Sequence, residues 1–123
     1  MIGIVVADMN ESIRFYRTLG WEVADPEAGH PYHETTLPNG LRFSWNAVEM
    51  AKDIDPDYVE PVGYRMGMAF KCDSPADVDA QYARIVAAGF NGYKEPYDAF
   101  WGMRYAQLKD PDGNIVDVFA ELG

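Results

Sequence analysis

The sequence has few of the residues on which several kinds of function depend. It has one cysteine, Cys72, so it cannot form an internal disulfide, and it has only two histidines. Ten basic residues stand against 20 acidic residues, which gives a formal net charge of −10. This charge argues against binding to nucleic acid, because the phosphates would be repelled. It is compatible with a small cationic ligand.

Long hydrophobic runs are also absent. No apolar run approaches the roughly 20 residues that span a bilayer, and the first residues lack the basic start and cleavage site of a signal peptide. We therefore expect a cytoplasmic protein that has no membrane partner. Apolar residues nevertheless make up 48% of the 123 residues, which is enough for the packed core of one domain.

The first half of the chain is typical of a strand, a helix and three further strands. Residues 2–6 are rich in β-branched side chains, which favours a strand. Asp8 followed by Glu11 is a capping-box pattern at a helix start, and Gly20 offers the left-handed position that ends a helix. Three strand-like segments follow, at residues 21–24, 33–37 and 41–46. Asn39-Gly40 between the last two predicts a hairpin.

The same order of elements returns in the second half. An acidic segment at residues 48–63 is expected to be a linker with about one helical turn. Residues 64–72 are strand-like, Ser74 and Pro75 suit a helix start, and Gly89 suits a helix end. The remaining strands are expected at residues 90–94, 103–108 and 115–119.

The repeat predicts how the chain is organised. A strand, a capped helix, a glycine and three strands occur twice in one order, so we expect a single domain over residues 1–123. Its first module covers residues 1–47 approximately, and its second covers residues 64–123 approximately.

Two such modules in tandem resemble the vicinal oxygen chelate superfamily of glyoxalase, bleomycin-resistance and dioxygenase proteins. The stretches that carry the resemblance are Val5-Val6-Ala7-Asp8, Phe15-Tyr16, Leu19-Gly20, Ala69-Phe70 and Asp110-Pro111-Asp112-Gly113-Asn114. The resemblance implies an α+β fold in which two βαβββ modules form curled mixed sheets with a concave binding face. It also implies a homodimer, and the open edges of such sheets give a physical reason to pair. Modules could pair within one chain or across the dimer.

The resemblance further implies four positions at which metal-dependent members carry His or Glu ligands. Here these positions hold Met1, Ser44, Gly67 and Asp117. Only Asp117 is a competent ligand for a hard divalent metal, so we expect no metal and no other cofactor. A site at His30, His33 and Glu34 is less favoured, because odd spacing along a strand sends side chains to opposite faces.

Two patterns indicate which side chains contact a ligand. Large apolar residues take one face of four predicted strands and leave small or polar residues on the other face. The stretch from Tyr93 to Tyr105 is rich in aromatic residues, which either form a stacking wall for a planar ligand or cover the core or an interface. The ligand-binding residues predicted from these patterns are Arg42, Ser44, Asn46, Arg65, Gly67, Phe100, Trp101, Tyr105 and Asp117.

The sequence leaves three functions open. We favour a metal-free protein that binds a small aromatic or cationic compound, as bleomycin-resistance proteins do in antibiotic resistance. The alternatives are a divalent-metal-dependent lyase or dioxygenase, and a non-catalytic protein-interaction domain. No nucleophile–base pair, phosphate-binding glycine loop or dinucleotide fingerprint is present, so no catalytic residue is assigned and the balance leans against an enzyme.

Overall fold

The computed structural model describes residues 1–63 and 65–123. The described chain forms two compact units, Met1–Glu60 and Pro61–Gly123. Each unit combines helix with a mixed sheet, which confirms the α+β class. Among the helices in these residues, none is long and apolar enough to cross a membrane.

The first unit has a three-stranded sheet with one main helix. Its elements are β1 (Ile2–Val6), α1 (Met9–Thr18), β2 (Tyr32–Thr36), β3 (Arg42–Ala47) and α2 (Val48–Ile54). The strand order is β1-β3-β2, with β1 parallel to β3 and β2 antiparallel to it. The predicted cap of α1 is confirmed, because the Asp8 carboxylate accepts a hydrogen bond from the Glu11 N–H at 3.0 Å. Gly20, with φ of 94°, follows the end of the helix as predicted.

The second unit has four strands and one helix. Its elements are β4 (Gly67–Lys71), α3 (Pro75–Ala87), β5 (Asn91–Asp98), β6 (Met103–Lys109) and β7 (Ile115–Glu121). The strand order is β4-β7-β6-β5, with β4 parallel to β7 and the other pairs antiparallel. Helix α3 begins as predicted: the Ser74 hydroxyl accepts from the Asp77 N–H at 3.2 Å, and Pro75 takes the first helical position.

The predicted strand at residues 21–24 is wrong, so the first sheet has three strands instead of four. Side chains hold this segment in place of a backbone ladder. His33 Nε2 of β2 lies 2.9 Å from the Ala24 carbonyl oxygen. The Arg17 guanidinium of α1 donates to the Val23 carbonyl at 2.6 and 3.1 Å. The carbonyls are therefore satisfied without strand pairing.

Three further boundaries differ from the sequence prediction. Helix α2 has seven residues, where about one turn was expected. Strand β5 continues to Asp98 through Pro96, which an edge strand tolerates, and its pairing with β6 shifts register on the way. Strand β4 begins at Gly67, and Tyr64, where that strand was predicted to start, lies outside the described residues.

An aromatic core fills the first unit. Trp45, Phe43, Tyr16 and Phe15 are completely or almost completely buried. The Trp45 indole N–H donates to the Ser12 hydroxyl at 3.1 Å, so its one polar atom has a partner in the core. Trp45 is therefore a core residue of the first unit.

The second unit packs α3 against its sheet. Its buried residues include Val78 and Ile85 of α3 and Leu108, Val116 and Val118 of the sheet. The structure also buries Ile115 at the start of β7 and leaves Val86 of α3 partly exposed.

Helix α3 approaches β5 closely at Gly92. A Cβ atom built at Gly92 would lie 2.7 Å from Tyr82 Cζ and 2.8 Å from Val86 Cγ2, and it would also collide with the Tyr82 hydroxyl. No real Cβ occupies such a position without displacing its neighbours. The absence of a side chain at Gly92 therefore sets how near α3 lies to the strand.

A buried polar turn joins β6 to β7. Asp110 and Asn114 are 3% and 1% exposed. Asp110 Oδ1 accepts from the N–H groups of Asp112 and Asn114 at 3.0 and 2.9 Å, and Oδ2 accepts from the Asn114 side-chain amide at 2.9 Å. The compact turn predicted at Asp110-Pro111-Asp112-Gly113-Asn114 is confirmed, and it is held by one carboxylate.

Candidate functional site

The candidate site lies on the face of the second sheet opposite α3. Helix α3 contacts the sheet on the face that carries buried residues such as Leu108. Because side chains alternate along a strand, the opposite face carries Tyr105 and Gln107 of β6 with Asp117 and Phe119 of β7. Tyr105 is directly across from Phe119, and Gln107 is directly across from Asp117. We call this the open face of the second sheet.

The Asp117 carboxylate is half-buried and accepts hydrogen bonds on both of its oxygens. The Tyr105 hydroxyl donates to Oδ2, and the Gln107 side-chain amide donates to Oδ1 at 3.0 Å. A carboxylate can only accept hydrogen bonds, and here each of its two oxygens is paired with a donor. Both donors are neutral, so these bonds position the negative charge without neutralising it.

Tyr105, which bonds this carboxylate, belongs to a cluster of four aromatic rings, here called the aromatic wall: Tyr97, Trp101, Tyr105 and Phe119. The ring centroids of Trp101 and Tyr105 are 5.2 Å apart, with the rings nearly perpendicular. The ring centroids of Tyr97 and Phe119 each lie 6.3 Å from the ring centroid of Tyr105. The planes of the Phe119 and Tyr105 rings are inclined by 27° to each other. Trp101 is 46% exposed. Such a surface can stack a planar ligand and attract a cation.

Tyr105 provides a test of this geometry through its pKa. Burial raises the pKa of the Tyr105 hydroxyl well above its usual range, and the hydrogen bond to Asp117 raises it further. A raised pKa means that the folded protein holds this proton more tightly than the unfolded chain does. The resulting stabilisation is present below the usual pKa of about 10 and is lost as the pH rises above it.

We therefore expect the free energy of unfolding to fall more steeply above about pH 10 in the wild type than in Tyr105→Phe. Urea denaturation followed by circular dichroism across this range measures the difference. Identical pH dependence in the two proteins would show that Tyr105 does not carry the perturbed proton.

Three of the predicted ligand-binding residues belong to the first unit. Arg42 forms a two-pronged ion pair with Glu34, at 2.8 and 2.9 Å, and the hydrogen bond from Arg42 lowers the pKa of the Glu34 carboxyl. Ser44, expected to line a cavity, is 1% exposed. The Asn46 amide donates to the Ser44 hydroxyl and to the Ile4 carbonyl, both at 3.2 Å. The charge of Arg42 is thus already balanced, and Ser44 is covered.

The other six predicted residues belong to the second unit. The structure brings Tyr105 and Asp117 into direct contact and places Trp101 against Tyr105. Phe100 is 96% exposed and packs edge-on against Trp101, with centroids 4.9 Å apart. Gly67 is exposed on the open face of the second sheet. Arg65 lies before β4, and its backbone N–H donates to the side-chain oxygen of Asn114 at 3.4 Å.

The residues at the four family metal positions do not fit a divalent ion. Met1 offers a thioether, Gly67 has no side chain, and the Ser44 hydroxyl is covered. Asp117 is the one hard ligand, and both of its oxygens already accept hydrogen bonds. Within residues 1–63 and 65–123, no three His, Cys, Asp or Glu side chains are grouped to hold a metal.

Both histidines make local hydrogen bonds with backbone carbonyls. His30 Nδ1 lies 2.7 Å from the Tyr32 carbonyl oxygen, and His33 Nε2 lies 2.9 Å from that of Ala24. Glu34 is paired with Arg42. Both histidines therefore have a structural role around β2, because their side chains hold the backbone of the chain that precedes this strand or begins it.

Sequence reasoning missed Gln107, which donates the second hydrogen bond to Asp117. Tyr105 was predicted to contact the ligand, and side chains two residues apart on a strand share a face. Counting two residues on from Tyr105 along β6 reaches Gln107 on the same face, so the signal was present in the sequence. Phe119, two residues on from Asp117 along β7, lies on the same face and was likewise not among the predicted ligand-binding residues.

A model of the glyoxalase/bleomycin resistance protein/dioxygenase superfamily matches residues 1–118. The chain is similar to a structure of a family enzyme from Burkholderia phytofirmans PsJN, with 22% identity and a TM-score of 0.83, covering 98% of this chain and 95% of that one. No curated protein matches.

Two further structures have the same fold. A glyoxalase-related enzyme from Fulvimarina pelagi is 21% identical with a TM-score of 0.81, and the match covers 98% of this chain and 87% of that chain. A glyoxalase/bleomycin resistance protein/dioxygenase from Nocardioides is 25% identical with a TM-score of 0.77. This match covers 98% of this chain and 80% of that chain.

Proposed function

This chain belongs to the glyoxalase/bleomycin resistance protein/dioxygenase superfamily, and from that premise we propose that it binds a small, planar, cationic compound without a metal ion. The binding surface is the open face of the second sheet, where the aromatic wall meets Asp117. Sequestering a toxic basic compound, in the manner of antibiotic-resistance proteins, is the role that such binding would serve.

The observation that carries this proposal is the state of Asp117. Its carboxylate is half-buried beside aromatic rings, and its hydrogen bonds come from the neutral groups of Tyr105 and Gln107. A negative charge in such surroundings is less well solvated than in water and gains most from a cation brought by a ligand. A ring face close to the carboxylate adds about 0.5–2 kcal/mol to the binding of that cation.

The charge of the whole protein supports the same ligand class. A formal net charge of −10 raises the local concentration of cations around the chain and disfavours anionic ligands. The aromatic wall supplies the apolar contact area that a small charged ligand needs for useful affinity. Charge and surface chemistry thus favour a flat cation over a polar or an anionic compound.

The test compares Asp117→Asn with the wild type. Asparagine keeps the shape of the side chain and removes its negative charge. We expect 2-naphthylmethylamine, protonated at neutral pH, to bind the variant at least about tenfold more weakly, because the ligand cation loses its ionic partner. Isothermal titration calorimetry gives both dissociation constants.

Glu121→Gln is the matched control, since it removes one negative charge from the same strand and the same face, where Glu121 is 3.9 Å from Lys71. It should leave the affinity within about twofold, because an exposed charge is screened by solvent. Equal losses in the two variants would mean that net charge, and not the Asp117 site, attracts the ligand. Absence of binding to the wild type would overturn the proposal.

The metal-free part of the proposal has its own test. Elemental analysis of protein purified without a chelator should find less than about 0.1 divalent ion per chain, because three of the four family positions lack a suitable ligand. One bound ion per chain, lost in Asp117→Ala, would instead favour a metal-dependent enzyme.

A further inference from the structure

The open face of the second sheet carries two rows of side chains that run across its strands. In the first row, Asp117, Gln107 and Lys94 lie directly across from one another on β7, β6 and β5. We call this the polar row. In the adjacent row, Phe119, Tyr105 and Tyr97 lie across from one another on the same three strands. A ligand on the aromatic wall therefore lies alongside the polar row.

The polar row has opposite charges at its two ends. Asp117 and Lys94 are on strands separated by one strand, so their backbones are roughly 10 Å apart. Gln107 stands between them and donates to Asp117. The Lys94 ammonium lies 4.2 Å from the centroid of the Tyr97 ring, so it rests on the aromatic wall instead of pairing with Asp117. The two charges are thus kept apart by the strand between them.

We propose that the ligand of this site is a zwitterion: a flat aromatic body with a cationic group at one end and an anionic group at the other. This inference rests on the proposed function and refines its ligand class. The cationic group pairs with Asp117, the aromatic body stacks on Tyr105, and the anionic group reaches the Lys94 ammonium. The separation of the strands selects ligands whose two charges are roughly 8–10 Å apart.

The second lysine on this face provides a comparison. Lys109 is one row further along β6, and its ammonium lies 4.3 Å from the centroid of the Tyr93 ring. Lys94 and Lys109 therefore make the same type of contact with a tyrosine ring. Only Lys94 shares a row with Asp117 and borders the aromatic wall. Position in the row, and not the presence of a lysine, distinguishes the two.

The experiment uses three naphthalene probes of matched size and the full chain. The probes are 6-(aminomethyl)-2-naphthoic acid, a zwitterion; 2-naphthylmethylamine, a cation; and 2-naphthoic acid, an anion. We expect the zwitterion to bind about fivefold more tightly than the cation, and the anion to bind most weakly, because a partly exposed ion pair adds a modest amount. Calorimetry at neutral pH measures all three dissociation constants.

Two lysine variants locate the second contact. Lys94→Gln should remove most of the preference for the zwitterion over the cation, whereas Lys109→Gln should retain it. Equal binding of zwitterion and cation to the wild type would overturn this inference and leave the cation site at Asp117 intact. Loss of the preference in Lys109→Gln alone would also overturn it. Failure of all three probes to bind would overturn the proposed function itself.

Discussion

Replacing Asp110 with alanine is expected to lower the free energy of unfolding by about 3 kcal/mol, since each buried donor left without an acceptor costs about 1–3 kcal/mol. The carboxylate accepts from two backbone N–H groups and from the side-chain amide of Asn114, and Asp110 and Asn114 are both buried. Alanine supplies no acceptor for any of them. Urea denaturation followed by circular dichroism measures the change.

The first unit offers a matched control in its own hairpin turn. Asn39 accepts one hydrogen bond, from the Leu41 N–H at 3.0 Å, and it is exposed. Water can replace this bond, so Asn39→Ala should cost less than about 1 kcal/mol. If the two variants were equally destabilised, burial of the Asp110 carboxylate would not be the cause of its effect.

Gly92→Ala is expected to destabilise the protein by about 2 kcal/mol, because adding one methyl group to a well-packed contact forces its neighbours to move. The new Cβ would lie 2.8 Å from Val86 Cγ2 and would overlap the Tyr82 ring. The Tyr82 side chain can swing outward, but Val86 is β-branched and has few alternative rotamers. Displacing these side chains weakens the packing between α3 and β5. Thermal and urea denaturation both report the loss.

Gly67→Ala is the control for that substitution. A Cβ atom at Gly67 meets only the Ile115 carbonyl oxygen, at an unstrained 3.9 Å. The stability should therefore change by less than about 0.5 kcal/mol, as for most surface substitutions. A large loss in Gly67→Ala would indicate that any side chain in these strands is harmful, and the explanation from the helix contact at Gly92 would be wrong.

Signals confined to neighbouring residues predicted much of the fold. Asp8 and Ser74 were identified as helix caps, and both accept the expected hydrogen bonds. Gly20 and Gly89 were expected to have left-handed conformations, and their φ values are 94° and 96°. These features succeed because a cap or a glycine turn depends on a few adjacent residues and hardly on the rest of the chain.

The strand boundaries that were predicted wrongly depend on residues that are distant along the chain. Residues 21–24 have the composition of a strand, but the imidazole of His33 and the guanidinium of Arg17 take the carbonyls that a neighbouring strand would use. Strand β5 passes through Pro96, which composition alone treats as a stop, because its place at the edge of the sheet leaves room for irregular pairing. Neither arrangement can be deduced from local propensity.

For the candidate site too, features set by neighbouring residues were predicted and features set by distant residues were not. Alternation along the last strand correctly put Asp117 on the face opposite the helix, and the aromatic stretch pointed to Trp101 and Tyr105. The register between strands was not available from the sequence, so the row joining Asp117, Gln107 and Lys94 could not be deduced from it. Ser44 was expected to be accessible, and its burial reflects contacts that alternation does not predict.

The order of strands in the second unit has a consequence for how the chain folds. Strands β5, β6 and β7 follow one another along the chain and pair with their sequence neighbours, whereas β4 reaches β7 only after α3 and two hairpins have intervened. Contacts between residues close in the chain require less loop closure and form faster than distant ones. The three strands that carry the polar row, with the hairpin that carries the aromatic wall, are thus expected to assemble at the lowest entropic cost in their unit. Joining β4 to β7 closes the longest loop within this sheet, so we expect it to be the pairing with the highest entropic cost.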